Sequence, residues 1–345
     1  MKIRGGGLRD MQIGILSTGV YIPEKRITSG EIAKRAGLPL EVVEHKMGIK
    51  EKPVPGIADH TVEMGIRAAR TAIEKAEIDP KEIDLVIYIG EEYKEYPVWT
   101  AGIKLQYEIG ASNAWAFDTA LRCGTTVMGL KVAKDMMIAD DSIQTVLLAG
   151  GYRNGDLINY ENPNTRFMFN LGAGGGAIIL QKGDVKNELL GTHMITDGAF
   201  SEDVIVPAGG TKNPMTKESL EEGLHQFDVP DPLGMKQRLE EKSMVNFIAC
   251  IEKALHKSGY RKEDIDYVAM LHMKRSAHTY VLDQLEVSLD KSIYLENYGH
   301  IGQMDQIISL ELAEQQGKLK DGSIVVFVSA GIGYAWGATV LKWGR

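Results

Sequence analysis

An α/β fold assembled from two copies of one unit is the architecture this sequence predicts. Two observations carry it. Short apolar runs that read as strands alternate with longer runs at helix spacing from Met11 onward. Three segments of the first half also recur, in the same order, in the second. Lys81-Glu-Ile-Asp-Leu-Val-Ile87 resembles Glu263-Asp-Ile-Asp-Tyr-Val-Ala269, a shift of 182 residues. Ser142-Ile-Gln-Thr-Val-Leu-Leu-Ala-Gly150 resembles Ser323-Ile-Val-Val-Phe-Val-Ser-Ala-Gly331, a shift of 181. Leu171-Gly-Ala-Gly-Gly-Gly-Ala-Ile-Ile-Leu180 resembles Ile332-Gly-Tyr-Ala-Trp-Gly-Ala-Thr-Val-Leu341, a shift of 161. The shorter last shift places an insertion of about twenty residues in the first half, near 152–168.

The elements follow in order. Residues 1–10 are rich in Gly and Arg and precede a second methionine, Met11; they read as a flexible leader. Residues 13–17 read as a strand, 19–23 as a turn, and Ser29 as the N-cap of a short helix. Residues 61–76 have Met64, Ile66, Ala69, Ala72 and Ile73 on one helical face. A buried strand follows at 83–89, a helix at 98–109, and a strand at 114–117. Residues 127–139 again show helix spacing, 144–148 a strand, and 172–180 a Gly-rich strand. Its glycines suit close backbone approach; no Lys-Ser/Thr pair follows them, so the run is not a phosphate-binding loop. Residues 193–242 are polar and rich in Gly and Pro, and read as the connection between halves plus surface loops. The expected organisation is a first half over 11–185 and a second over 186–345.

Composition excludes several classes. The chain of 345 residues is 44% hydrophobic and 25% charged with net charge −8, and it has no basic tract, which argues against nucleic-acid binding. Two cysteines cannot form a disulfide framework, no cluster has zinc-ligand spacing, and a reducing cytoplasm is expected. No apolar run is long enough for a membrane span, and no signal peptide is evident.

The chemistry concentrates around Cys123, in Ala120-Leu121-Arg122-Cys123-Gly124-Thr125-Thr126. The thiol sits between a strand and the start of a helix, where free N–H groups and the helix dipole favour thiolate. The duplication sets Cys123 opposite the turn just before Met304, so His300 is expected beside it. His272 follows the strand at 267–270 and would project into the same region. A cysteine with two histidines is a nucleophile–base set; a buried inert thiol and solvated histidines are the bland alternative. Cys250 lies in a helix-period run and reads as core. His278, six residues after His272 on an expected helix, would not share its face.

These motifs resemble the thiolase-like condensing enzymes, and among them the β-ketoacyl-ACP synthase III group. The resemblance spans residues 11–343 and rests on six runs. They are Gly19-Val-Tyr-Ile-Pro23, Met47-Gly-Ile-Lys-Glu-Lys52, Ala116-Phe-Asp-Thr-Ala-Leu-Arg-Cys-Gly124, Phe169-Asn-Leu-Gly-Ala-Gly-Gly-Gly176, Asn297-Tyr-Gly-His300 and Gly331-Ile-Gly-Tyr-Ala-Trp-Gly337. It implies a duplicated five-layer αβαβα thiolase-like fold and a homodimer. It implies Cys123 as acyl-accepting nucleophile and His272 as the histidine that stabilises the second substrate's carbonyl oxygen. It implies an oxyanion hole from the backbone N–H of Cys123 and one from the turn at Ile332 and Gly333. No metal or redox cofactor is implied; CoA or phosphopantetheine is a handle on the substrates. Those substrates would be acyl-CoA or acyl-ACP, then malonyl-ACP or malonyl-CoA.

Three departures stand out. His300 occupies the place of the group's asparagine. Lys274 and Arg275 replace neutral residues after His272, and could meet a phosphate or an acidic carrier, or simply be solvated. Glu92, in Gly90-Glu91-Glu92-Tyr93, stands by position where 3-hydroxy-3-methylglutaryl-CoA synthases have their acid/base glutamate; the competing reading is an exposed acidic loop. Arg122 would assist the thiolate or pair with Asp118 or a glutamate of that loop. Two alternatives to decarboxylative condensation therefore stand: non-decarboxylative condensation or acyl transfer through Glu92, and a weakly active partner subunit.

Overall fold

The structure is a computed structural model that describes residues 12–183 and 185–345. The expected leader at 1–10 lies outside the described residues. The first half runs β1 (Ile13–Tyr21), β2 (Arg26–Thr28), α1 (Ser29–Ala36), β3 (Glu51–Pro53), α2 (Thr61–Ala76), β4 (Leu85–Tyr88), α3 (Ala101–Ile109), β5 (Trp115–Asp118), α4 (Thr125–Ala139), β6 (Thr145–Tyr152) and β7 (Gly174–Lys182). The second runs β8 (Glu188–Thr196), α5 (Lys217–Glu221), α6 (Pro232–Lys257), β9 (Ile265–Met270), α7 (Arg275–Gln284), α8 (Asp305–Gln315), β10 (Ile324–Gly331) and β11 (Ala335–Lys342).

Among the described residues nine strands connect in the order β5-β4-β6-β7-β1-β8-β11-β10-β9. The order reads alike from β1 and from β8 outward. In each half an antiparallel pair (β1 with β7, β8 with β11) is followed by a second antiparallel neighbour and then a parallel one. Within the sheet, β1 of the first half pairs with β8 of the second at Gly14 and Glu188. The three repeated sequences fall on β4 and β9, β6 and β10, and β7 and β11.

Helices complete the layers. α2 packs on β1, β6 and β7, and α6 on β8, β10 and β11, as the outer layers. α4 and α8 touch strands of both halves and fill the middle. A helix enclosed on all sides should be apolar all round, unless its polar groups find partners. In α8 they do: Glu311 binds Thr18 and Lys75, the Ser309 hydroxyl meets the Tyr267 hydroxyl at 2.8 Å, and the Gln306 amide donates to the Val328 carbonyl at 2.9 Å. On the outer face, a Cβ on Gly65 would sit 2.7 Å from the Gly150 Cα, so only hydrogen there lets α2 seat on β6.

Several local expectations are corrected. Thr28, not Ser29, caps α1; its hydroxyl accepts from the Glu31 N–H, which leaves Ser29 in the first turn. β1 runs on through Tyr21 because Gly19, Val20 and Tyr21 keep pairing with Ala177, Gly176 and Gly175 of β7, so the expected turn starts later. α3 begins at Ala101 rather than 98, where the Asp118 carboxylate receives the N–H groups of Ala101 and Gly102. The stretch 193–242 is not all connection: it holds the end of β8 and the start of α6, whose Pro232 suits a first helical turn. No helix of the described residues is long and apolar enough to cross a membrane.

Candidate active site

Chain geometry brings Cys123 and one histidine together. β5 ends at Asp118, and a single 3₁₀ turn, Arg122–Gly124, carries Cys123 into α4. The matching turn of the second half, Gly302–Met304, leads into α8 and touches the first. His300 stands just before it. Its Nε2 is 3.1 Å from the Cys123 Sγ, and both side chains are buried. The expected juxtaposition across the two halves is therefore present.

A carboxylate missed at the level of sequence completes the line. The Asp305 Oδ2 lies 2.6 Å from the His300 Nδ1 and also receives the backbone N–H of His272 at 2.7 Å. Its Oδ1 receives the Ile301 N–H at 2.7 Å. Asp305 is wholly buried at the first turn of α8, where dipole and N–H groups suit an anion. Burial alone would lower the His300 pKa. The charges of Cys123 and Asp305 and their hydrogen bonds outweigh it and hold the imidazole well above its usual range. A Cys–His–Asp line of this kind favours a thiolate–imidazolium pair.

His272 lies in the loop between β9 and α7, not on a helix, and its ring packs against Tyr294 as that of His278 does. Its Nδ1 is 3.0 Å from the Asn170 amide nitrogen and its Nε2 is 3.1 Å from the Gly48 carbonyl. The amide donates to Nδ1, so the hydrogen sits on Nε2 and the ring is neutral. Burial agrees, drawing its pKa down to about 4 against the opposing pull of Gly48 and Asp305. A thioester oxygen in the cavity would have to compete with Gly48 for that hydrogen.

The Asn170 loop is fastened by a buried lysine. The Lys52 Nζ donates to the carbonyls of Phe169 and Leu171 at 2.8 Å each. The His300 N–H donates to the Asn170 carbonyl, and the Gly172 N–H returns to the His300 carbonyl. One loop therefore supports both histidines.

Cys123, His272 and His300 border a common cavity of about 270 Å³. Its other walls are mostly apolar, with Phe167, Met244, Phe247 and Leu271 among them, and Lys274 stands on its lining. Ile332 also lines it, whereas Gly333 borders two adjoining clefts. Arg275 is turned away, paired with Glu296 and stacked on Tyr294. Glu92 does not fit the description of a buried base: its side chain is 57% exposed and is paired with Arg122 at 2.5 Å. The buried carboxylate is Glu91, 3% exposed, on the wall shared by the Cys123 cavity and a larger cleft of about 760 Å³. Burial raises its pKa against the nearby Arg122 charge. Arg122 thus pairs with both glutamates, while Asp118 is held by Lys94. Cys250 is core, its thiol pushed up to about 12 by burial.

The fold agrees with comparisons to known proteins. Profiles described as 3-oxoacyl-[acyl-carrier-protein (ACP)] synthase III and its C-terminal part match residues 117–198 and 255–343. The β-ketoacyl-[acyl-carrier-protein] synthase III of Clostridium acetobutylicum is 30% identical over 335 residues, 96% of this chain and 99% of that protein. The synthase of the same name from Caldanaerobacter subterraneus is 28% identical over 96% of this chain and 98% of its own. Among solved structures, 3-oxoacyl-[acyl-carrier-protein] synthase III from Aquifex aeolicus superposes with a TM-score of 0.81 at 22% identity, covering 96% of this chain and all of that one. OleA of Xanthomonas campestris, at 16% identity and a TM-score of 0.80, shares the fold over 97% of this chain and 100% of its own. With a relative at 30% identity matched nearly end to end, in this thiolase-like fold, the chain belongs to the 3-oxoacyl-[acyl-carrier-protein] synthase III family.

Proposed function

We propose that Cys123 takes an acyl group from an acyl-CoA or acyl-ACP and passes it to a malonyl thioester, with loss of carbon dioxide and release of a β-ketoacyl product. The observation that supports this most is the 3.1 Å contact between Cys123 and His300, backed by Asp305. The thiolate attacks the thioester carbonyl. Charge gathers on that oxygen, and the N–H groups of Cys123 and of the turn at Ile332 and Gly333 are the donors this reading gives it; one such donor is worth about 3–4 kcal/mol. The coenzyme's sulfur leaves with the proton of His300. The enolate of the second substrate then requires N–H donors, and this reading takes them from His272 and from His300 once its ring has taken up a proton again from solvent. The apolar walls exclude water from both steps. Lys274 on the cavity lining suits the phosphate of a pantetheine arm. A second copy of the chain is the partner this reading gives to the edge strand β5, where Trp115 is exposed, as are Ile103 and Tyr107 on α3.

The test is intact-protein mass spectrometry of wild type and Cys123→Ala with acetyl-, butyryl- and octanoyl-CoA, followed by malonyl-ACP. Adducts on wild type alone, discharged as labelled carbon dioxide is released, are expected. No adduct with any thioester would refute the nucleophile.

A further inference from the structure

We propose that the acyl-enzyme on Cys123 is also discharged onto a neutral hydroxyl acceptor, with His300 as general base and Asp305 as its positioning residue. This rests on the reading that Cys123 is acylated. It follows from where the hydrogens must sit. Asp305 is an acceptor at His300 Nδ1, so the neutral ring carries its hydrogen there and presents a lone pair at Nε2. That lone pair faces the sulfur that bears the acyl group. His272 cannot substitute, because both its ring nitrogens are engaged by Asn170 and Gly48. Once loading has sent the His300 proton away on the coenzyme thiol, the site therefore holds an oriented base beside a thioester.

The step balances without any further reagent. The hydroxyl oxygen bonds to the acyl carbon while its proton passes to the His300 Nε2. The carbon–sulfur bond to Cys123 then breaks, and the thiolate returns beside an imidazolium, ready for another acyl-CoA. The product is an ester. A hydroxyl is favoured over an amine because the cavity is largely apolar, and an ammonium would have to shed its hydration and its proton to enter.

The two discharges need opposite states of His300. Condensation uses the protonated ring as a donor, and ester formation uses the neutral ring as a base. The groups facing His300 are Cys123 and Asp305, with Tyr152 and His272 beside it and Glu91, Arg122 and Lys274 on the same cavity. Acylation removes the Cys123 charge, which leaves Asp305 as the carboxylate that sets the titration.

The experiment isolates the acyl-enzyme made with butyryl-CoA and follows its loss by mass spectrometry from pH 6 to 9. Water alone, 1-butanol, benzyl alcohol and malonyl-ACP are the acceptors. Discharge by the alcohols should exceed that by water and rise with pH to a plateau, while malonyl discharge falls over the same range. Asp305→Asn should slow alcohol discharge by about 10²–10⁴-fold and move its midpoint to lower pH. Because Asp305 also holds two backbone N–H groups, His300→Asn is the companion variant: it removes the base and leaves the carboxylate, and should abolish the pH dependence. Alcohols no faster than water, a flat profile, or variants that discharge as fast as wild type would each overturn the proposal. If malonyl-ACP still empties the wild-type site in those cases, condensation survives. If butyryl-CoA gives no acyl-enzyme, both readings fall.

Discussion

Replacing Lys52 by methionine tests the arrangement that supports both histidines. The ammonium is 1% exposed and is anchored by carbonyls, those of Phe169 and Leu171, with the Tyr160 ring centre at 5.5 Å. Burial, helped by the Arg35 charge, lowers its pKa from 10.5 to about 7. Between those values the unfolded chain carries a proton that the folded chain lacks, so stability rises with pH across the window and levels off below it. From pH 7 to pH 9 this amounts to about 2 kcal/mol. Lys52→Met removes that dependence and leaves two carbonyls without their donor, at about 1–3 kcal/mol each. The variant's deficit against wild type should be about 2 kcal/mol larger at pH 9 than at pH 7. His300 has the opposite linkage. Its raised folded pKa gives stability that is complete below its unfolded value and is lost as pH rises through the folded one. It is present in both proteins and cancels in the difference. Urea unfolding of both at pH 7, 8 and 9 supplies the measurement. A difference that stays constant with pH would show that Lys52 is charged in the folded protein throughout, and the reasoning would fail.

Three further outcomes are expected. Iodoacetamide at pH 7 should label Cys123 and spare Cys250, whose thiol burial holds near 12, so that Cys123→Ser abolishes the mass increase; equal labelling of both would contradict the ion-pair geometry. Gly65→Ala should cost about 1–3 kcal/mol in urea unfolding, because its methyl would meet the Gly150 backbone and not a movable side chain; an unchanged midpoint would mean α2 seats less closely. Thr28→Ala should cost about 1 kcal/mol through loss of the α1 cap, while Ser29→Ala leaves that cap in place; calorimetry of the two variants distinguishes them.

The repeat and the hydrophobic periods were enough to identify the duplicated α/β unit, because both are written locally: strands and helices bury one face at a fixed spacing. The same repeat placed His300 beside Cys123, since equivalent turns of a two-fold pair must meet. Other parts of the site are not local. Glu91 and Glu92 are chemically identical neighbours, and they differ because the Glu91 N–H still bonds the Gly151 carbonyl, which continues the ladder with β6 past the end of β4 at Tyr88. Adjacent residues on such a backbone point opposite ways, so one is buried at the cavity and the other is left with Arg122. Lys52 belongs to the charged run Lys50-Glu51-Lys52, whose composition suggests solvent, yet it lies inward on β3 beneath a loop more than a hundred residues away in sequence. Asp305 reads as an ordinary helix start until α8 is enclosed between the halves and its carboxylate is left with His300, His272 and Ile301 as partners. The sequence by itself determined the unit, its duplication, and the pairing of Cys123 with the histidine that faces it. Only the tertiary structure decided which carboxylate orients that histidine, which glutamate reaches the cavity and which lysine is dry, because burial and hydrogen-bond partners belong to the assembled layers.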